Sequence, residues 1–355
     1  MFIKRKSYLA RIDRIRVAEG RNLAEGLRLD RNERVDPWQK DIFAKIFGEK
    51  PGYFLSVYPE LTSLYAKLAA FHRVAESELL LTSGIDGGLK TLFEILSEPG
   101  DTVGVVSPTY AMYMVYAKLF ETKLHEIKYT PQLQFNHADF EEFLGRKPVM
   151  FFLPNPNQPV ESAFTKAQLE EFAQKTLRSN CLFLIDEAYH MFGCESGIDL
   201  IRKYENVVVA RTFSKGFGVP SIRLGYLISN QDNMSILAKT RFAHESNALS
   251  NAVAEYLLDN YAMVESYNRA VVASREALKP IMQGFGIAAI GANGNFLLLD
   301  LGTQARAKDY VAMLRAKHIY VKGPWSAPFD RYVTITIGPI ESMRRFIDDT
   351  AEFPR

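Results

Sequence analysis

Between about residues 60 and 230, short apolar runs alternate with longer amphipathic segments. The runs 103–106 and 149–153 are rich in β-branched or aromatic residues and have the length of strands. Segments 65–71 and 88–96 instead carry apolar residues at helical spacing. Apolar strands that alternate with helices are typical of a parallel sheet covered on both faces. The pattern therefore predicts an α/β fold built on a doubly wound, mostly parallel sheet.

Composition excludes several function classes. The chain is 47% hydrophobic and 24% charged, as in an ordinary soluble globular protein, and its net charge of +2 gives no support for nucleic-acid binding. Cys181 and Cys194 are too few for a disulfide framework, and no metal-ligand spacing accompanies them. The basic N-terminus lacks an apolar signal region, and Asp13 and Glu19 count against a mitochondrial presequence. We expect no metal, no membrane contact and a cytoplasmic location.

The segment NVVVARTFSKGFGVPSIRLG, residues 206–225, is the most informative stretch for chemistry. Its apolar run ends in small and hydroxyl residues, and a single lysine, Lys215, follows, with Gly216 and Gly218 just after it. A strand that delivers one lysine to a glycine-flanked turn suits an amine nucleophile, because glycine lets a bulky partner approach the backbone. A solvated lysine after an ordinary strand is the alternative interpretation of this segment alone.

A second apolar run, LFLI at 182–185, ends abruptly at Asp186. Ligands of open α/β sheets bind outside the carboxyl ends of the strands, so an acid and a lysine at two such ends are expected to lie close together. Together they meet the needs of pyridoxal phosphate: Lys215 forms a Schiff base, and Asp186 pairs with the pyridinium nitrogen. An acid at a strand end also serves as a helix cap, so Asp186 alone is weak evidence.

Four motifs now occur in the order of one known family: LTSGIDGGL (81–89), SPTYAMY (107–113), LIDEAY (184–189) and TFSKGFGVPSIRLG (212–225). The chain resembles fold-type I pyridoxal-phosphate aminotransferases of class I/II, and most of all the histidinol-phosphate aminotransferase family. The likeness extends over nearly the whole length, from LRLDRNE (27–33) to ITIGPIESMRRFI (335–347).

The resemblance implies a large cofactor-binding domain and a small α+β C-terminal domain. After Asn230 the sequence shows a long helical segment at 232–283, followed by the short strands 296–301 and 332–338. We expect the N-terminal arm to pack against the small domain or a partner subunit. The expected parts are the arm at 1–35, the large domain at 36–235 and the small domain at 236–355.

The cofactor phosphate is expected at the glycine-rich turn 83–88, which precedes an amphipathic helix. The unpaired amides and the dipole of a helix N-terminus favour a phosphate there. By resemblance, Ile85 and Asp86 supply backbone donors. Arg223 offers a planar, permanently charged fork to the same phosphate. The hydroxyls of Ser214 and Thr212 can add donors, although either residue can simply end the strand.

Three tyrosines complete the implied cofactor site. Tyr110 follows Pro108 just past a strand end, where its ring can stack on the pyridine, a core tyrosine being the alternative. Tyr189 resembles the tyrosine that hydrogen-bonds the phenolic oxygen of the cofactor. Tyr58, in VYPEL, matches a tyrosine that the family sends to the phosphate of the neighbouring subunit, which implies a homodimer with shared active sites.

The sequence departs from the family at the phenolic-oxygen contact. The family's Asn-Pro-Thr-Gly turn is here Gln158-Pro159-Val160-Glu161, so a glutamine one methylene longer replaces the asparagine. Either Gln158 or a neighbouring asparagine, Asn157 or Asn155, is expected to make the contact. Because this contact helps to set the pKa of the Schiff base, its titration is expected to be unusual.

The sequence also departs at the substrate. The arginine that clamps an α-carboxylate in the family is Thr334 here, and a hydroxyl cannot replace a bidentate guanidinium. Glutamate is then a poor donor unless Arg331 or Arg34 supplies the missing cation. Lys322 stands where the family has an arginine for the substrate phosphate, and Arg34 adds positive charge near the expected entrance.

We therefore expect a ping-pong aminotransferase in which Lys215 also transfers a proton as general acid–base, with Asp186 and Tyr189 beside it. Its substrates would be a small-molecule amino donor and a keto acceptor, at least one of them anionic and without an α-carboxylate. A pyridoxal-phosphate decarboxylase or lyase on the same scaffold is the alternative. A non-catalytic descendant is disfavoured because Lys215, Asp186 and Arg223 are all retained.

Overall fold

The computed structural model describes residues 8, 9, 12 and 20–354. Its main feature is a seven-stranded sheet in the order β2-β8-β7-β6-β5-β3-β4, in which β8 alone runs antiparallel to its neighbours β2 and β7. The sheet confirms the expected mixed, mostly parallel architecture. The strands are β2 (Leu79–Thr82), β3 (Thr102–Ser107), β4 (Lys123–Lys128), β5 (Met150–Pro154), β6 (Leu182–Asp186), β7 (Val207–Thr212) and β8 (Gly225–Ile228).

Helices cover both faces of this sheet. Side chains alternate between the faces along each strand, so that Phe151 joins one apolar core and Phe152 the other. Helices α2, α5, α6 and α8 pack on the first face, and α3, α4 and α7 on the second. Within the described residues, no helix is both long and apolar enough to span a membrane. The helices are α1 (Ile42–Phe47), α2 (Thr62–His72), α3 (Gly84–Leu96), α4 (Met112–Leu119), α5 (His137–Gly145), α6 (Lys166–Arg178), α7 (Gln231–Leu237), α8 (Ala248–Asp259), α9 (Tyr261–Gly284), α10 (Gln304–Ala316) and α11 (Ile340–Ala351).

A second core lies around two small sheets. An antiparallel sheet in the order β12-β10-β9 packs with α9, α10 and α11, and β1 pairs in parallel with β11. The N-terminal segment is thereby tied to the C-terminal third of the chain. The remaining part of the expected arm, before residue 20, lies almost wholly outside the described residues. The strands are β1 (Leu27–Leu29), β9 (Ala288–Ile290), β10 (Phe296–Asp300), β11 (Ile319–Val321) and β12 (Tyr332–Thr336).

The long helical segment expected at 232–283 is three helices, α7, α8 and α9. Asn247 starts α8, because its side-chain oxygen accepts a hydrogen bond from the amide of Ser250 at 2.9 Å. Asn260 separates α8 from α9 with φ −111° and ψ 37°, which no helix continues through. Helix α8 packs on α1 and α2, next to the large sheet. The division at residue 235 stays a prediction.

Candidate active site

A cavity of about 370 Å³ opens at the carboxyl ends of the parallel strands. It lies beside β3 and β5, where the order of the sheet reverses and open α/β sheets bind their ligands. Eleven of the fifteen residues expected in the site line this cavity. They are Ile85, Asp86, Tyr110, Asn157, Gln158, Asp186, Tyr189, Thr212, Ser214, Lys215 and Arg223.

Neighbouring strands bring Lys215 and Asp186 to one cavity. Asp186 ends β6 and is in register with Ala210 on β7, and Lys215 lies three residues beyond the end of β7. The Nζ atom of Lys215 donates a 2.7 Å hydrogen bond to the carbonyl of Arg31. Burial lowers the pKa of Lys215 to about 8, although Glu33 opposes the change. The lysine is thus a better nucleophile at neutral pH than an exposed one.

The carboxylate of Asp186 is 5% exposed and firmly held. Its Oδ2 accepts a 2.6 Å hydrogen bond from the hydroxyl of Tyr113, and its Oδ1 accepts one of 3.0 Å from the amide of Ala188. Burial raises the pKa of Asp186 to about 6, while the two hydrogen bonds act in the opposite direction. At neutral pH the group is therefore still an anion that faces the cavity.

The positive end of the site is the start of α3. The first turn of a helix leaves its amides without partners in the helix, and Ile85 and Asp86 lie in this turn. The guanidinium of Arg223 lies beside it, 3.5 Å from the carboxylate of Asp86. Gly84 has φ +67°, and a Cβ there would lie 3.0 Å from Nη2 of Arg223. Glycine therefore makes room for the guanidinium at this turn.

Tyr110 and Tyr189 both reach the cavity. The hydroxyl of Tyr110 donates a 2.7 Å hydrogen bond to Asp86, and burial raises its pKa, so it remains a neutral phenol. The hydroxyl of Tyr189 accepts a 2.9 Å hydrogen bond from the side-chain amide of Asn32. Asn32 is 3% exposed and adopts φ 53° in the turn that also presents the Arg31 carbonyl to Lys215. One N-terminal turn therefore contacts two residues of the site.

The two asparagines near Gln158 are used by the fold. Both amide hydrogens of Asn157 are taken, by the carbonyls of Pro108 at 3.0 Å and Val160 at 2.9 Å. The side-chain amide of Asn155 donates to the carbonyl of Glu195 at 3.1 Å. Among the described residues, Gln158 is the one candidate donor to the cofactor's phenolic oxygen that lines the cavity and whose side-chain amide makes no hydrogen bond within the protein.

The structure does not bring Arg34 or Tyr58 into the cavity. Arg34 is bonded to Asp36 at 2.9 Å, and its guanidinium carbon lies 4.1 Å from the ring centre of Trp38 and 3.8 Å from that of Tyr267. Such a stacked and paired guanidinium is part of the packing, which argues against the expected substrate contact. Tyr58 is 77% exposed and stacks on His244 with ring centres 4.4 Å apart.

Thr334 and Lys322 lie next to each other but outside the cavity lining. Their backbones pair between β12 and the end of β11, with hydrogen bonds of 3.0 and 2.8 Å. Thr334 is 1% exposed, and its hydroxyl accepts a 3.0 Å hydrogen bond from the indole of Trp325. The Lys322 ammonium lies 5.2 Å from the same ring, close enough to Lys215 for its charge to lower the pKa of that lysine. Arg331, the other cation considered, pairs with Asp300 at 2.8 Å.

Several residues of the site were not expected from the sequence. Arg31 and Glu33 line the cavity within the segment LRLDRNE, which resembles the family but does not predict a role for either residue. Thr109 bonds Asn157 at 2.6 Å and so joins the loops after β3 and β5. Tyr113 is buried beneath the cavity. Tyr113 lies in the first turn of α4, three residues after Tyr110, and this closeness in sequence is the signal that could have placed it beside the site.

The residues present fit pyridoxal phosphate. The cavity has a cationic end for a phosphate, formed by the start of α3 and Arg223, and Gly84 opens space there. It also holds an amine with a lowered pKa and a buried carboxylate, the two groups that an aldehyde and a pyridine nitrogen require. The donor set and the charges therefore match the expected cofactor.

Comparison with known proteins agrees with the expected family and cofactor. The family model for aminotransferase class I and II matches residues 22–349. A histidinol-phosphate aminotransferase from Symbiobacterium thermophilum is 30% identical over 296 residues, which cover 82% of this chain and 81% of the relative. Histidinol-phosphate aminotransferase 1 from Carboxydothermus hydrogenoformans is 26% identical over 329 residues, which cover 92% of each chain.

Solved structures share the fold. The histidinol-phosphate aminotransferase of Sinorhizobium meliloti, crystallised with pyridoxal 5′-phosphate, has a TM-score of 0.82 at 22% identity and covers 91% of this chain and 88% of its own. A putative histidinol-phosphate aminotransferase from Erwinia carotovora atroseptica has a TM-score of 0.83 at 21% identity, over 95% and 98% of the two chains. The chain therefore belongs to the aminotransferase class I and II family and is a pyridoxal-phosphate-dependent transaminase.

Proposed function

We propose that this transaminase works by a ping-pong mechanism on a small anionic, phosphorylated amino or keto compound. The names of its relatives, histidinol-phosphate aminotransferases, support a phosphorylated substrate. One observation carries the proposal: Lys215 and Asp186 stand on adjacent strand ends in one cavity whose far end is cationic. A nucleophilic amine, a buried acid and a phosphate-sized cationic corner are the parts that this chemistry needs.

We assign the cofactor phosphate to the amides of Ile85 and Asp86, to Ser214 and to Arg223, with Thr212 ending the strand beside them. Tyr110 is the residue assigned to the ring face. We assign the contacts to the phenolic oxygen of the cofactor to Tyr189 and Gln158, because both amide hydrogens of Asn157 are donated to backbone carbonyls. When bound, pyridoxal phosphate supplies an electron sink. This sink makes the hydrogen on the substrate carbon that bears the amino nitrogen acidic.

The proton chemistry is assigned to two side chains. Lys215 would hold the cofactor at rest and, once released, would act as the general acid–base that moves a proton from the substrate carbon to C4′ of the cofactor. Its lowered pKa leaves a useful fraction of the amine unprotonated near neutral pH. Asp186, an anion at that pH, keeps the proton on the ring nitrogen, and its burial strengthens this pairing.

The residues at the expected substrate position favour an amine substrate without an α-carboxylate. Thr334 offers no cation, and its hydroxyl already accepts a hydrogen bond from Trp325. A carboxylate placed there would lose the charge-assisted pair that an arginine provides, at a cost of roughly 2–5 kcal/mol. Lys322 and Arg31 provide positive charge near Lys215, where a phosphorylated substrate can be neutralised.

The test is a panel of amines mixed with purified holoenzyme, followed by the absorbance change that marks conversion to the pyridoxamine form. We expect phosphorylated amino alcohols to react faster than glutamate by at least about thirtyfold, which corresponds to the lower limit of about 2 kcal/mol for the missing arginine. A faster reaction with glutamate would overturn the substrate assignment. Release of carbon dioxide without transfer to a keto acid would favour the decarboxylase instead.

We also propose a cytoplasmic homodimer with shared active sites. The segment 53–58 exposes Tyr53, Leu55, Val57 and Tyr58 by 67, 73, 54 and 77%, respectively. Contiguous apolar exposure of this kind is typical of an interaction surface. Because Tyr58 lies outside the cavity of its own chain, a second copy is the partner to whose phosphate site it can belong.

A further inference from the structure

We propose that Tyr113 is a positioning residue of the reaction, whose hydroxyl holds Asp186 as a fixed, ionised carboxylate for the ring nitrogen of the cofactor. The inference rests on the proposed role of Asp186 and adds a residue to which neither the sequence nor the family resemblance gave a role. Tyr113 would act through Asp186 and not on the substrate.

The position of Tyr113 is fixed by packing. It lies on α4, is completely buried, and its hydroxyl is 2.6 Å from Oδ2 of Asp186 on β6. Its ring centre lies 5.3 Å from that of Phe152 and meets Tyr110 edge-on at 6.3 Å. A ring held on these sides has little freedom to swing, so the hydroxyl stays aimed at the carboxylate.

The direction of this hydrogen bond follows from acidity. Burial and the neighbouring Asp186 raise the pKa of Tyr113 well above its ordinary value, so the phenol keeps its proton and donates it. The amide of Ala188 donates to the other carboxylate oxygen. Hydrogen bonds to an ionised group favour that form, so Tyr113 opposes the protonation that burial promotes.

The hydroxyl of Tyr113 is important because neighbouring carboxylates also favour protonation of Asp186. The charges of Asp86, at the start of α3, and of Glu187, its neighbour in sequence, both raise the pKa of Asp186. Lys215 faces it as a cation from beyond β7 and interacts with it favourably. Tyr110 and Tyr189 remain neutral phenols, because burial raises their pKa values. Without the Tyr113 hydroxyl, Asp186 would be expected to protonate closer to neutral pH.

The test is the pH dependence of cofactor affinity in Tyr113→Phe. Apoprotein is titrated with pyridoxal phosphate from about pH 5 to pH 9, and the Kd is read from protein fluorescence. In the unchanged protein, affinity should fall as the pH drops through about 6, where Asp186 protonates. In the variant this fall should begin about one pH unit higher, with about tenfold weaker binding at the pH where the difference is largest. The cofactor phosphate and Lys215 titrate in the unchanged protein and in the variant alike, so they do not account for a difference between the two curves.

Tyr310→Phe is the matched control, since Tyr310 is also fully buried, bonds Thr350 at 2.8 Å and lies in the C-terminal core. Its curve should match that of the unchanged protein. A Tyr113→Phe curve with an unshifted midpoint, whether or not affinity falls uniformly, would overturn the inference. Tyr113→Met repeats the test with a more adaptable side chain in case the phenylalanine variant folds poorly. If the unchanged protein does not bind pyridoxal phosphate, the proposed function fails instead.

Discussion

At the scale of single residues, burial shifts the two central groups in useful directions. A pKa of about 8 for Lys215 gives the buried lysine an unprotonated fraction at neutral pH that exceeds that of an exposed lysine by more than about a hundredfold. A pKa of about 6 for Asp186 keeps this acid ionised there. Between these two pKa values, Asp186 is an anion that can face the cofactor ring, and the unprotonated, reactive fraction of Lys215 rises with pH.

Individual contacts also decide between residues that the sequence left open. Gln158 stands at the position of the family's asparagine, with Asn157 and Asn155 one and three residues before it, and the sequence does not decide between them. Their hydrogen bonds separate them from Gln158, because Asn157 donates to Pro108 and Val160, and Asn155 donates to Glu195. Similarly, the aromatic rings that enclose Arg34 come from Trp38 and Tyr267, and no local pattern around Arg34 predicts the second of these.

At the scale of elements, a buried ion pair joins the two strands that carry the site. Arg211 on β7 donates to Glu187, just past β6, at 2.7 and 3.0 Å, and the side chains are 6% and 0% exposed. The amide of Gly197 donates to the same carboxylate at 2.6 Å. This pair fixes how the strand end bearing Asp186 sits beside the strand that leads to Lys215.

Arg211→Met should therefore destabilise the apoprotein strongly, because it leaves the buried Glu187 carboxylate without its cation. The expected loss in free energy of unfolding is about 3–5 kcal/mol, measured from urea unfolding curves. Lys166→Met is the control, since it breaks the pair with Asp199 at an exposed site and should leave the curve nearly unchanged. Equal curves for the two variants would show that the buried pair does not hold the strand ends.

The elements themselves were largely predictable from the sequence. Apolar runs marked β3, β5 and β6 to within one residue at each end, because strands buried on both faces must be continuously apolar. The run of three valines marked only the start of β7, which continues to Thr212. The break between α8 and α9 was not predictable from the sequence, because Asn260 interrupts the helix without a glycine or proline. Pro280 lies inside α9, so even a residue that usually ends a helix gave no boundary here.

At the scale of the whole molecule, the shared site has a direct consequence for mixed dimers. If Tyr58 serves the neighbouring subunit, a dimer of one Tyr58→Phe chain and one Lys215→Ala chain contains one site with both defects and one intact site. We expect the mixture, after subunit exchange, to recover up to about half of the activity of the unchanged protein per mixed dimer at limiting cofactor. Each variant alone should be weaker.

A mixture no more active than its components, with dimers confirmed by light scattering, would place Tyr58 in the site of its own chain.

The family resemblance, not any local pattern, supplied the expectation that Tyr58 serves the neighbouring subunit. Two long-range pairings, by contrast, needed coordinates. The carbonyl of Arg31 pairs with Lys215 across 184 residues of sequence, and the side chain of Asn32 pairs with Tyr189 across 157.

The most direct measurement is where the cofactor becomes attached. Apoprotein mixed with pyridoxal phosphate is reduced with borohydride, digested, and its peptides weighed by mass spectrometry. We expect the added mass on the peptide that contains Lys215, with trapping that increases as the pH rises through about 8. Attachment at a different lysine, or undiminished attachment in Lys215→Ala, would contradict the assignment of Lys215.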